Sequence, residues 1–333
     1  MSHFTVLVHI PFEEVQNGDI SKLLAEKLQP FHEFECTGIK DQYVQEYDET
    51  EEQLASYEID TTDVVYKDGE IFGTRYSEQC ESFWKRNGIG ISSEDEFILP
   101  NGYELRENTL LKEVYTFEEY LSTWHGYALD GKHSDFRDGR FYNYSNPNRK
   151  WDWWTVGGRW KGHFLTKDGK KEDLIQFKDW DLVGAMATAV QNHVHFFEKY
   201  EASGLNELVY KSWNECVDFF NKDYNAAREY YHSQEIKTKI RELFNSPEEG
   251  LKDYLLHDVD TFYNVSRDEF IKARVFNEIR TFAVLSDGQW LENGDMGWFG
   301  MVNDKKENWN EIFIDKISGF DDNDFLILVD CHI

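Results

Sequence analysis

The chain has 333 residues, of which 64 are Asp or Glu and 35 are Lys or Arg, giving a formal net charge of −29. Hydrophobic residues make up 40% and aromatic residues 16%, enough to build a core, which excludes a wholly disordered acidic chain. No apolar stretch approaches the roughly 18 to 20 residues that a membrane helix needs. The opening MSHFTVLVHIPFEE lacks the basic region and cleavage site of a secretory signal. Four cysteines (Cys36, Cys80, Cys216, Cys331) lie far apart and form no CxxC, so the expected compartment is a reducing cytoplasm without a disulfide framework.

The β-branched, apolar run His3 to Ile10 predicts a strand that ends at Pro11. Ile20 to Leu28 carries helical spacing and is stopped by Gln29-Pro30. Residues 41 to 60 hold eight acidic side chains and no basic one, which reads as a solvated face or loop. Helical periodicity follows in Asp181 to Ala202, Leu205 to Phe220, Asn225 to Phe244 and Ser266 to Glu278, the last opening on a Ser266/Glu269 capping box. Arg280 to Leu285 and Gln289 to Glu292, joined through Ser286-Asp287-Gly288, predict a hairpin with an Asp-Gly turn. Trp309 to Ile317 reads as a helix and Phe325 to Ile333 as a final strand. The expected fold class is α+β: a mainly antiparallel sheet containing both terminal strands, with a separate helical layer or subdomain. The expected parts are 1–162, carrying a Trp-rich basic loop, a mainly helical 163–280, and 281–333 completing the sheet, or one continuous domain.

Positive charge is concentrated in residues 131–171, where ten Lys and Arg stand against four acids, leaving the remainder of the chain at −35. Inside lies NPNRKWDWWTVGGRWKG, with Lys150, Trp151, Trp153, Trp154, Gly157, Gly158, Arg159 and Trp160. Glycines at a tight turn present backbone amides to an anion, Arg159 offers a planar fork for phosphate or carboxylate, and indole faces stack on a base. The competing reading is that the tryptophans fill the core and the cations pair with the chain's carboxylates. A long nucleic acid is disfavoured by the surrounding negative charge over a screening length of about 8 to 10 Å.

Two further clusters bear chemistry. His32, Glu35 and Cys36 lie in HEFEC, and Asp330 and His332 in the terminal DCH. If both segments are strands, His32 shares a face with Cys36, and Asp330 shares one with His332. Adjacent terminal strands could then gather nucleophile, base and carboxylate. Such a cluster would suit a borderline metal such as zinc as well as a Cys/His nucleophile pair, but no ligand pair has a recognised zinc spacing, and the expectation is no metal and no cofactor. Trp298, in the glycine-punctuated GDMGWFG, would wall or lid a pocket. His193 and His195, two apart on a helix, diverge and read as structural.

HFTVLV, PFHEFECTG, NPNRKWDWWTVGGRW, GDMGWFG and VDCHI, in this order, resemble an uncharacterised family encoded by tailed bacteriophages, prophages and some bacteria. The resemblance implies a cytoplasmic protein acting in an infected or lysogenic bacterium, and it carries over no activity or catalytic residue. The leading expectation is a phage-type accessory protein, with a counter-defence role, that binds a small anionic, nucleotide-derived ligand through the Trp/Arg/Gly loop. One alternative is a nucleotide or ADP-ribose hydrolase using the His/Cys/Asp groups. The other is an acidic DNA mimic that inhibits a host defence protein through charge such as that of residues 41–60.

Overall fold

The computed structural model describes residues 2–16, 18–74, 99, 101–244, 259–297 and 301–333. They form two compact units, one made of 1–28 with 153–333 and the other of 29–152. The fold is α+β, as the periodicities imply.

In the first unit, the strands His3–Ile10 and Phe325–His332 pair antiparallel along their whole length, from His3 opposite His332 to Ile10 opposite Phe325. Ala283–Ser286 adds to the N-terminal strand in parallel, and Gln289–Glu292 follows it antiparallel. The far edge of the C-terminal strand pairs with Leu174–Gln176 at one end and Trp153–Val156 at the other. The turn residues Asp287 and Gly288 take positive φ angles of 55° and 71°, which a two-residue hairpin of this hand requires.

The central strands are near-continuous apolar runs because both sheet faces are covered. Direct pairing puts Leu7, Leu326 and Leu328 on one face, where they meet Trp309, Phe313 and Ile317 of the helix Trp309–Ser318, together with Phe164 and Trp180. The helix Ile20–Leu28, burying Leu24 and Leu28, contacts the N-terminal strand.

The helix Leu182–Ala202, capped by Asp181, serves two cores. Ala185 belongs to the sheet core, while Phe196, Phe197 and Tyr200 enter an aromatic helical core with Ile236, Ile240, Phe244, Phe262 and Phe270. Two expected helices are shorter than their periodicity. The Leu205–Phe220 stretch becomes a 3-10 turn at Leu205–Glu207 and a helix, Trp213–Phe219, restarted by a Ser212/Glu215 capping box. The Asn225–Phe244 stretch breaks at Gln234 into Tyr224–Ser233 and Glu235–Phe244. The buried Gln234 amide accepts from the Lys211 N–H at 2.7 Å and donates to the Lys211 carbonyl at 2.8 Å, a tertiary tie that replaces helical continuity. The Ser266/Glu269 capping box forms as expected.

The second unit holds two three-stranded sheets around separate pairings, Gln45–Asp48/Arg140–Ser145/Ser134–Arg137 and Glu70–Thr74/Thr61–Lys67/Tyr103–Leu110. Leu111, Tyr120, Leu121 and Phe141 form a core cluster there. The acidic run 41–60 is not a loop: it contains the strand Gln45–Asp48 and the helix Thr50–Ile59. Three of its charges pair with cations distant in sequence, Glu46 with Arg137, Asp48 with Arg140 and Glu58 with Lys112.

At the far end of the first unit's sheet, buried His9 bridges Ser286 (3.0 Å at Nδ1) and Asp324 (2.8 Å at Nε2), stacked on Phe320 at 3.9 Å. Burial alone would raise the Asp324 pKa. Hydrogen bonds from His9 and from the Phe12 and Asp321 N–H groups outweigh it and hold the carboxyl below its usual range. A depressed native pKa adds stability above the unfolded carboxyl value, about pH 4, and that stability is lost as pH falls through the native value. Unfolding free energy measured from neutral to acid pH will therefore fall less steeply below about pH 4 in Asp324→Asn than in the parent chain. An unchanged slope would contradict this assignment.

Candidate functional site

The Trp-rich basic segment divides between the two units. In the 29–152 unit, Trp151 is buried and bridges His32, with its N–H and that of Lys150 both donating to the Phe31 carbonyl. Trp151 is thus a core residue of that unit, and the stacking role expected of it is corrected. In the same unit, Arg137 pairs with Glu46 and Asp135, and Arg140 with Asp48.

In the other unit, Trp153 and Trp154 sit on consecutive positions of the edge strand and therefore face opposite sides. Trp153, 44% exposed, stacks on His332 (5.2 Å, 15° between planes) and meets His3 edge-on at 5.1 Å. Trp154 lies opposite Cys331. Neither lines the cleft described below.

The strand then enters the turn Gly157-Gly158, with φ of 69° and 51°. The Gly157 N–H donates to the Leu328 carbonyl at 2.9 Å, and the Arg159 N–H donates to Asp330 Oδ2 at 2.9 Å. The other Asp330 oxygen accepts from His3 Nδ1 at 2.8 Å. Asp330 is only 1% exposed. The Arg159 N–H at this turn therefore grips the protein's own carboxylate and the Gly157 N–H is used by the Leu328 carbonyl, so neither is left to cradle an incoming phosphate. The arrangement aligns the loop on the C-terminal strand and leaves the side chains of Arg159 and Trp160 to line a cleft.

That cleft, about 830 Å³, lies wholly within this unit. Its cationic wall comprises Arg159 and Lys161 from the loop, Lys171 from the small hairpin Phe164–Leu165/Lys171–Glu172, and Arg280 ahead of the strand Ala283–Ser286. None of the four makes an ion pair among the described residues. The Arg280 guanidinium donates to the neutral amides of Asn310 and Asn277, and burial lowers its pKa. One carboxylate, Glu278, and one imidazole, His163, also line the space. His163 Nε2–H donates to the Ile279 carbonyl at 3.2 Å, fixing that ring. Ala185 and Thr188, one turn apart on the helix Leu182–Ala202, are small and leave the volume open.

The other predicted groups do not converge on this cleft. His32 is not on a strand with Cys36, because Phe34–Thr37 is a helical turn. His32 is buried against Thr37 Oγ1 (2.8 Å) and Asp41 Oδ1 (3.4 Å), and Glu35 accepts from Ser145 at 2.6 Å. Cys36 is exposed, and its thiol pKa is raised by burial and by Glu33, Asp152 and Glu35, the reverse of an activated nucleophile. His32, Glu35 and Cys36 belong to one unit, Asp330 and His332 to the other. Among the described residues no group of three or more His, Cys, Asp or Glu is placed to hold a metal ion, and no helix is long and apolar enough to cross a membrane. Cys80 and Trp298 lie outside the described residues. His193 is buried against Phe270, its pKa lowered by desolvation and by Arg274.

Sequence reasoning found Arg159 and Trp160 but did not single out Lys161 and Lys171 within its own window, and it missed His163, Arg280 and Asn293. Lys161 lies within the quoted motif, and His163 and Lys171 follow it. Arg280 and Asn293 are brought in only by the pairing of the hairpin with the N-terminal strand. No protein-family model, curated protein or solved structure matches this chain.

Gly158 tests the geometry of the loop. A Cβ there would run into the Asp330 carboxylate, and the φ of 51° is itself unfavourable for alanine. Gly158→Ala is expected to lower the unfolding free energy by about 2 to 4 kcal/mol. A denaturant midpoint shift equivalent to less than about 0.5 kcal/mol would show that the loop is not held on Asp330.

Proposed function

We propose that this chain binds a small anionic, nucleotide-derived ligand in the cleft lined by Arg159, Lys161, Lys171 and Arg280. The observation that carries this reading is a cleft lined by one carboxylate and by four cations that make no ion pair among the described residues, in a chain of net charge −29. A solvated lysine on a random surface needs no partner. A half-buried guanidinium whose side-chain donors go to two neutral amides is different, since its burial carries a desolvation cost that an anion would offset. A concave cationic surface within a negative protein also focuses its potential on a small anion while the surroundings repel a long polyanion. The cleft volume suits a nucleotide, and Trp160 and Phe282 supply aromatic surface for a base.

This reading keeps Arg159 and Trp160 from the segment singled out in the sequence and moves the anion from the glycine turn to the cationic wall. In the setting that the resemblance to phage and prophage proteins implies, capture of such a ligand would counter a host defence.

Titration calorimetry against nucleoside mono-, di-, tri- and cyclic phosphates tests the proposal. At least one should bind, and affinity should fall as salt rises from about 50 to 300 mM. Arg159→Ala, and Lys161→Ala with Lys171→Ala, remove exposed side chains and should each weaken binding about tenfold or more, since each charge-assisted hydrogen bond contributes about 1.5 kcal/mol or more. No heat with any nucleotide, or undiminished affinity in both variants, would overturn it.

A further inference from the structure

The cationic wall accounts for an anion but leaves one polar group in the same cleft unexplained. Asn293 is 7% exposed and lines the space, yet its side-chain Oδ1 is buried without a hydrogen-bond partner. Its backbone is anchored beside the cleft, while the side chain can turn about its own torsions. Its N–H donates to the Phe282 carbonyl at 2.9 Å, and its own carbonyl accepts from the Lys306 N–H at 2.9 Å. Of the neighbouring hydroxyls, Thr281 donates to the Ala283 carbonyl at 2.6 Å, while Thr5 Oγ1 accepts from the Phe282 N–H at 3.1 Å. Phe282 itself lines the cleft beside Asn293. A buried amide oxygen left without a donor costs free energy that a partner restores.

A phosphate ionised at neutral pH is chiefly a hydrogen-bond acceptor and answers the cations, whereas Asn293 needs a donor. The occupant that satisfies both walls has an anionic end and a neutral N–H edge. We propose that Asn293 is the specificity-determining residue of the cleft, accepting a hydrogen bond from an N–H of a nucleobase that lies against Phe282, so that the site selects nucleoside phosphates over phosphate, pyrophosphate or a sugar phosphate. This deepens, and rests on, the reading of the cleft as an anion site. It follows the general rule that a site built to bond a polar group discriminates strongly against an analogue lacking it.

The test compares the four common nucleoside monophosphates with ribose 5-phosphate and pyrophosphate by calorimetry on the full chain. The parent protein should bind at least one nucleoside monophosphate tenfold or more tightly than ribose 5-phosphate, a comparison that needs no variant. Asn293→Leu, similar in volume and without the unsatisfied oxygen, should melt no lower than the parent, abolish that preference and leave ribose 5-phosphate binding within twofold. Asn293→Asp keeps an acceptor and should retain the base preference while weakening every anion. Equal binding of nucleoside monophosphate and ribose 5-phosphate by the parent, or a preference surviving in folded Asn293→Leu, overturns the role of Asn293 while the anion site stands. Absence of binding by all these compounds overturns both.

Discussion

The Asp330 carboxylate is the constraint around which this site is organised. It is buried at the polar end of a sheet face whose other end is Leu7, Leu326 and Leu328, and a buried carboxylate persists only where donors surround it. His3 from the neighbouring strand and the Arg159 N–H supply them. Because both donors are needed, the Gly157-Gly158 turn is drawn onto the C-terminal strand, with Gly158 so close that no side chain fits there. One internal anion thus sets where the side chains of Arg159, Trp160 and Lys161 emerge. The backbone of the loop is spent on stability, and its side chains are left for a guest.

Charge distribution separates structural from available cations. In the 29–152 unit, Arg137 and Arg140 are matched to Glu46 and Asp48 on the strand of the acidic run. In the other unit, Lys170 pairs with Asp168, but Lys161, Lys171, Arg159 and Arg280 meet across a cleft without matching carboxylates among the described residues. Arg280 is the sharpest case. Its donors go to two neutral amides, and its burial carries a desolvation cost that an incoming anion would offset.

Much of the fold was legible because local and tertiary signals agree. The strand His3–Ile10 and the helix Ile20–Leu28 have the bounds their patterns dictate, and the Asp287-Gly288 hairpin and the Ser266/Glu269 cap form as their chemistry requires. Where they disagree, tertiary bonding wins: Gln234 leaves the helix to hold Lys211, and Glu46 and Asp48 of acid-rich 41–60 pair with arginines about ninety residues away. The site was half legible for the same reason. A charge window finds groups that are neighbours in sequence, so Arg159 and Trp160 were visible. Arg280 and Asn293 join them through the register of Ala283–Ser286 on the N-terminal strand, which no spacing rule encodes. The tryptophans misled because alternation along an edge strand sends Trp153 and Trp154 to opposite faces, and Trp151 is used as core.

The most direct measurement is a crystal structure of the protein grown or soaked with the tightest-binding nucleotide. The account predicts phosphate density within hydrogen-bonding distance of Arg280 and at least one of Arg159, Lys161 and Lys171, with Asp330 still bonded to His3 and the Arg159 N–H. Phosphates located elsewhere on the chain, with the cleft filled by its own side chains, would contradict it.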